Sequence, residues 1–212
     1  MPHRTFQHEL RDRIEAKYQE RGDALGWRLL YSPSHVLDGA SVAFIGLNPG
    51  GNFRPADHAE FAMAAGSAYT TENWGGPPGE AKLQRQVRIL FQRLDVRPED
   101  VLAGNLVPFR TPSWDAMRRR RDALAFGKSL WTDILRHSQP RLVIAMGGVT
   151  IETLTEVLNV RNLENIPVGW GNVTGKRGHH DGGPFVGLPH LSRFAIVGRP
   201  ESEPSLQRLL EL

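Results

Sequence analysis

The 212-residue chain contains no cysteine. That absence excludes a disulfide framework, a thiolate zinc site, an iron–sulfur cluster and a cysteine nucleophile. Lysine is scarce as well, since 22 of the 26 basic residues are arginine. Arginine suits phosphate and carboxylate because its planar fork donates two parallel hydrogen bonds. No apolar run reaches the roughly 18 residues that a membrane span needs. Residues 1–30 carry charges every few positions and lack the apolar centre of a signal peptide, so a cytoplasmic protein is expected. The 26 basic and 23 acidic residues give a formal net charge of +3, which permits a polyanionic partner without requiring one. Hydrophobic residues at 40% and charged residues at 23% fit an ordinary globular domain. At about 150 residues per domain, the expectation is one domain covering 1–212. It should bury roughly 70% of its unfolded surface and so fold without staples.

Apolar spacing outlines the elements. Phe6, Leu10, Ile14 and Tyr18 recur every four residues among charges, which predicts an amphipathic helix over 4–21. Four short apolar runs follow, at Val42–Leu47, Val101–Val107, Leu142–Met146 and Phe185–Leu188. Runs without alternation fit strands covered on both faces, hence a parallel sheet. Helical patterns lie between or after them: Leu83, Val87, Leu90, Phe91 and Leu94; Leu124, Trp131, Ile134 and Leu135 after a cap at Ser113; Ile151, Leu154, Val157 and Leu158; and Leu206, Leu209 and Leu210. The expected fold is α/β: a three-layer α/β/α sandwich with a central, mainly parallel four-stranded sheet. The glycine-rich stretch 169–183 reads as a loop or hairpin inserted before the fourth strand.

In such sheets ligands sit outside the carboxyl ends of the strands. The first of these ends carries Asn48-Pro49-Gly50-Gly51-Asn52, the second Pro108 to Ser113, the third Gly147-Gly148 and the fourth Pro189 to Arg193. The first loop presents an amide at a corner made rigid by proline and approachable by glycine. The plainer reading is a tight turn whose asparagine caps its own backbone. The loop is neither GxGxxG nor a Lys-Ser/Thr phosphate loop.

The GLNPG at Gly46–Gly50 resembles the first motif of the uracil-DNA glycosylase superfamily, and is closest to its asparagine-using mismatch-specific and single-strand-selective branches. Asn105 in GNLVP resembles the strand-end asparagine that reads the uracil edge. Phe61 lies thirteen residues after Asn48, similar to the spacing of the aromatic ring that stacks on an extruded base; Phe53 and Trp74 are rival stackers. The PHLSR at Pro189–Arg193 resembles the second catalytic motif and its DNA-inserting loop. A gapless match there puts Gly187 where the family has histidine or asparagine, and His190 just before the leucine. Either the loop is shorter and His190 serves, or the histidine contribution is missing. The four-cysteine cluster branches are excluded.

The resemblance implies a DNA glycosylase that hydrolyses the N-glycosidic bond of uracil or another deaminated or damaged base, by base flipping and water attack, without cofactor or metal. Asn48 would hold the water, and His190 would stabilise the leaving base. Gly46, Leu47, Pro49, Gly50, Phe61 and Asn105 would form the base pocket. Gly50 takes the place of a tyrosine that excludes 5-methyl groups in the main branch, implying a roomier pocket. Leu191 would wedge into the duplex, while Ser192, Arg193 and Arg110 would hold DNA. The implied partner is DNA, the implied state a monomer. Two other functions stay open: a glycosylase-fold nucleic-acid-binding protein without catalysis, and a nucleoside- or nucleotide-binding enzyme. Taken singly, Asn105, Phe61 and His190 also fit structural roles. Arg118–Arg121 reads as a solvated basic face, because four successive helical residues point all round the axis. His179-His180-Asp181 reads as a polar loop rather than a metal site.

Overall fold

A computed structural model describes residues 5–55 and 58–211. The first helix, α1 (Phe6–Arg21), buries Leu10, Ile14 and Tyr18 and ends at Gly22 in the left-handed region; the residue-4 start expected for it lies outside the described residues. The chain then forms β1 (Val42–Gly46), a short α2 (Ala68–Thr71), α3 (Lys82–Arg93), β2 (Leu102–Asn105), α4 (Arg120–Ser138), β3 (Leu142–Met146) and α5 (Gly148–Val157). It closes with β4 (Arg161–Trp170), β5 (Val173–His180), β6 (Gly183–Leu188) and α6 (Glu203–Leu210). Ser113 caps a short 3-10 turn, Trp114–Ala116, through its hydroxyl. It does not cap α4, which starts at Arg120 after Arg119 takes a positive φ of 47°.

Among the described residues six strands form one mixed sheet in the order β2-β1-β3-β6-β5-β4. The fold is α/β, but the sheet has six strands where four were expected. The four apolar runs are its parallel part, with Gly46 opposite Asn105, Ile45 opposite Ala145 and Ala145 opposite Gly187. The two extra strands are an antiparallel hairpin on the β6 edge. The stretch 169–183, expected as a loop or hairpin, holds the turn and β5 of this hairpin; a longer strand pair was hidden because β4 opens with five exposed residues, Arg161–Asn165, and β5 holds Lys176 and Arg177 between two glycines. A strand with one wet face at a sheet edge has no continuous apolar run to read.

On the opposite edge, Trp27 and Leu30 bridge antiparallel to Phe109 and Gly104. Residues 60 and 61 lie beside that segment in turn, accepting from Leu29 and Leu30 at 2.9 and 3.0 Å. Two apolar cores form. Ala43, Ile45, Val143 and Ala145 pack with residues of α1, α4 and α5, while Val42, Phe44, Ile144, Met146 and Leu188 pack with residues of α3 and α6. Successive strand residues alternate between the two because side chains leave a strand on opposite faces. The fully buried Trp131 satisfies its indole N–H on the Asn105 carbonyl at 2.8 Å, tying α4 to the end of β2.

Candidate functional site

The carboxyl edge of the parallel strands gathers the ends of β2, β1, β3 and β6 side by side. Chain leaving β1 is stitched to chain leaving β2: Gly46 and Leu47 accept from Leu106 and Val107 at 2.8 Å, and Pro49 accepts from Thr111 at 3.2 Å. The Asn48 corner is therefore fixed by its neighbour as well as by its own proline. Asn48 Nδ2 donates to the Pro49 carbonyl at 3.1 Å and to Thr111 Oγ1 at 3.0 Å. The direction of the second bond is forced. Thr111 gives its only hydroxyl proton to the Ser113 carbonyl at 2.9 Å, so it can only accept from Asn48. Asn48 Oδ1 consequently faces away from both partners and has no donor among the described residues. A carboxamide oxygen held this way is a fixed acceptor for water. Beside it, Gly50 is exposed and a side chain added there would meet nothing within 4 Å.

His190 is the second fixed group. Two strand spacings separate β1 from β6, about 10 Å, and the His190 ring leans back toward β3, where its Cδ2 lies 3.8 Å from a side chain built on Gly147. Gly147 itself takes a positive φ of 91°, which lets the chain turn from β3 into α5 without covering the ring. The Ser192 backbone N–H donates to His190 Nδ1 at 3.3 Å, and Ser192 Oγ lies 2.8 Å from the same nitrogen. A backbone N–H can only donate, so Nδ1 carries the lone pair and the neutral ring holds its proton on Nε2. Burial, followed by the Arg193 charge, pushes the His190 pKa below that of an ordinary histidine. The ring is thus a neutral imidazole whose Nε2–H has no acceptor among the described residues.

Asn105 lies opposite Gly46 but its side chain is engaged inside the protein. Tyr31 donates to Oδ1 at 3.1 Å, Nδ2 donates to the Arg28 carbonyl at 3.1 Å, and only 2% of the residue is exposed. Around it lies a charged network that the sequence reading missed. Arg28 grips Glu72 through both terminal nitrogens at 2.7 and 2.8 Å and stacks on the Tyr31 ring, 4.6 Å from its centroid. Trp74 Nε1 donates to the same carboxylate at 2.8 Å, and His58 Nε2 lies 3.6 Å from it. Burial pushes the Glu72 pKa up, but the bond and charge of Arg28, with Trp74 and His58, more than offset this and hold it below the usual carboxylate range. Arg28 and Glu72 are 44 positions apart, so no local pattern announces them. The spaced Tyr69, Glu72 and Trp74 around a helical turn are the one available signal, since Tyr69 and Trp74 pack together at 5.4 Å.

Two expected roles are corrected by position. Phe61 is 4% exposed, sits in the core two chain segments beyond β2, and has the Arg11 guanidinium 4.9 Å over its ring; it is covered, so no base can stack on it as it stands. Of the rivals, Phe53 is 69% exposed, while Trp74 is half-buried against Tyr31 and Tyr69. Leu191 is fully buried in the α3–α6 core, with Gln86 donating to its carbonyl, so it is anchored inward and is not a surface wedge. Arg110 is buried in the wall of a cleft, with Nη1 donating to the Gly50 carbonyl. Ser192 and Arg193 are exposed beside His190. Arg118–Arg121 are all exposed, Arg120 pairing with Asp115 at 3.0 Å. No cluster of three or more metal-ligating side chains occurs among the described residues. No helix among them is long and apolar enough to cross a membrane.

No protein-family model matches this chain, and no curated protein matches it either.

Proposed function

We propose that the chain is a DNA glycosylase that hydrolyses the N-glycosidic bond of uracil or another deaminated base, acting as a monomer in the cytoplasm on an extruded nucleotide. The observation that carries this reading is the pairing of two oppositely poised groups on one sheet edge: an acceptor, Asn48 Oδ1, and a donor, His190 Nε2–H. Hydrolysis of this bond needs both. The C1′–N bond breaks with its electron pair leaving on the base, and a water oxygen bonds to C1′. Asn48 Oδ1 orients that water by accepting one of its protons in a hydrogen bond, and His190 donates to the base oxygen where negative charge grows. The proton released from the water ends on the departed base, so no cofactor is consumed. The backbone N–H groups of Asn48 and Gly50, which find no acceptor among the described residues, add further donors. An amide cannot take up the proton as a carboxylate does, so modest turnover is expected. The open space at Gly50 supports a pocket that admits 5-methyl or other enlarged bases. The two apolar cores on opposite faces of the sheet support the three-layer α/β/α reading.

A second reading has its own support: a nucleic-acid-binding protein of similar architecture that does not cleave. Asn105 is occupied by Tyr31 and Arg28, and Phe61 and Leu191 are buried, so three parts of a base-flipping apparatus are withdrawn. One assay separates the two. Labelled oligonucleotides carrying uracil, hypoxanthine, xanthine or a thymine mismatch are incubated with stoichiometric protein and then treated with alkali. Strand scission on any of them supports the glycosylase. Salt-dependent binding with no scission on all four supports the binding protein and defeats the enzyme.

A further inference from the structure

Behind the Asn48 loop lies a cleft of about 470 Å³ lined by Gly26, Trp27, Arg54, His58, Glu60 and Arg110 among others. Among the described residues, one cation of its lining, Arg110, has no carboxylate partner. Arg28 is neutralised by Glu72 at 2.7 Å, and Arg54 by Glu60 at 2.5 Å. Arg110, only 8% exposed, has no carboxylate among the described residues. Among the described residues, Nη1 alone of its three guanidinium nitrogens has an acceptor, the Gly50 carbonyl, and Nε is buried with none. Burial is the main cause that lowers the Arg110 pKa; Tyr31 and Glu72 pull the other way and Arg28 adds to the fall. An isolated buried cation is costly unless something anionic compensates it. The glycine at position 51 keeps the approach open: it takes a φ of 120°, and a side chain there would come within 3.4 Å of Arg110 Nη1.

We propose that this cleft is a phosphate site, with Arg110 as the principal ligand and His58 and Arg54 at its sides. A planar guanidinium fork matches phosphate oxygens, and among the described residues the two nearby carboxylates, Glu60 and Glu72, are already held by arginines, so they do not repel the ligand as free charges would. The site adjoins the Asn48 loop through Gly50 but stands on charge balance alone, independently of base cleavage. The phosphate comes from one of two sources: an internal phosphodiester of a nucleic-acid strand, or the terminal phosphate of a nucleotide or strand end.

The test follows thermal unfolding of the full chain against inorganic phosphate, with chloride at matched ionic strength as control. The expected result is a saturable rise in Tm with phosphate and none with chloride. Arg110→Gln should remove the rise, and Arg110→Lys should retain it with affinity weakened about tenfold, since a point charge replaces the fork. If Arg110→Gln fails to fold, Arg54→Gln and Arg110→Lys still decide the matter by weakening the response. No rise in the wild type, or an undiminished rise in the Arg110 variants, overturns the proposal. Competition then names the source. An unphosphorylated oligonucleotide that displaces phosphate identifies the diester. Displacement only by a nucleoside 5′-monophosphate or a 5′-phosphorylated oligonucleotide identifies the terminal group. Displacement by neither overturns the assignment to nucleic-acid phosphate. His190→Ala should keep the phosphate response whole while base release falls, so failure of this site and failure of the glycosylase reading give different results.

Discussion

Thr111 Oγ1 stands 3.0 Å from Asn48 Nδ2 and spends its own proton on the Ser113 carbonyl, so with the Pro49 carbonyl it sets which way the Asn48 amide faces. Removing it leaves the Pro49 carbonyl as the remaining anchor of the Asn48 amide and loosens its orientation. Thr111→Val should therefore lower the rate of base release about ten- to a hundredfold with little change in KM, because water positioning acts in the transition state. The stability cost should be only about 1 kcal/mol, the net value of a typical hydrogen bond. Single-turnover kinetics beside urea denaturation check both halves. Equal losses in KM and stability, with kcat kept, would show that Thr111 merely holds the loop.

His190 and His180 share a direction. Burial is the first cause of a lowered pKa in each, so each folded ring binds fewer protons than its unfolded counterpart. Stability then rises with pH wherever the unfolded state holds more protons. Their contribution is whole above the unfolded value of about 6.5 and is lost as pH falls from there through the lower folded values. Unfolding measured between pH 7.5 and 5 should show stability declining below about 6.5. The decline should be shallower in His180→Gln and His190→Gln. An unchanged slope in both variants would contradict the assignment. Nitrogen NMR of the wild type should find the His190 proton on Nε2, opposite the nitrogen that Ser192 contacts.

The Arg28–Glu72 pair carries the clearest stability prediction. Both side chains are buried, and the carboxylate is held by two guanidinium nitrogens and an indole. Breaking one partner leaves the other charge uncompensated, so Glu72→Gln should cost about 3–5 kcal/mol. Replacing both residues by apolar ones should cost less than Glu72→Gln alone. Guanidinium denaturation of the single and double variants tests this. A loss below about 1 kcal/mol for Glu72→Gln would place the pair among ordinary surface bridges.

Much of this arrangement was legible in the sequence, and the missing parts share a cause. Strands covered on both faces leave continuous apolar runs, which is why Val42–Leu47 and Leu142–Met146 read as strands and their ends as a site edge. Asn48 was legible because proline and glycine mark a corner locally. The β4–β5 hairpin was legible at its turn and second arm, within 169–183, but not along most of β4, whose outer residues face water and break the run. Leu191 and Phe61 were assigned to surface roles from motif position alone. Their burial depends on α3 and α6 for the one and α1 for the other, and those contacts come from distant chain. The Arg28–Glu72 pair, 44 positions apart, and the Arg110–Gly50 bond, 60 apart, belong to the same class of contacts made in space. Ser113 failed differently: it is a genuine cap, but of a 3-10 turn, because Arg119 in the left-handed region delays α4.

Gly50 offers a specificity test. It is exposed, and a side chain there meets nothing within 4 Å, so Gly50→Tyr should leave stability within about 0.5 kcal/mol. An aromatic ring above the Asn48 corner should narrow the pocket. The variant is expected to keep uracil release and lose release of 5-methyl bases from mismatches. If both substrates fall together, or neither does, Gly50 does not set base size.

Base release from a uracil-containing oligonucleotide, followed at stoichiometric protein for wild type, Asn48→Ala and His190→Ala, tests the central claim most directly. The pairing of a fixed acceptor with a fixed neutral donor predicts release by the wild type. Each variant should lose about a hundredfold or more, as expected for one preorganised group at the reacting centre. Folding should be intact in both. Wild-type protein that binds the strand but releases nothing from it, or variants that release as fast as wild type, would contradict it.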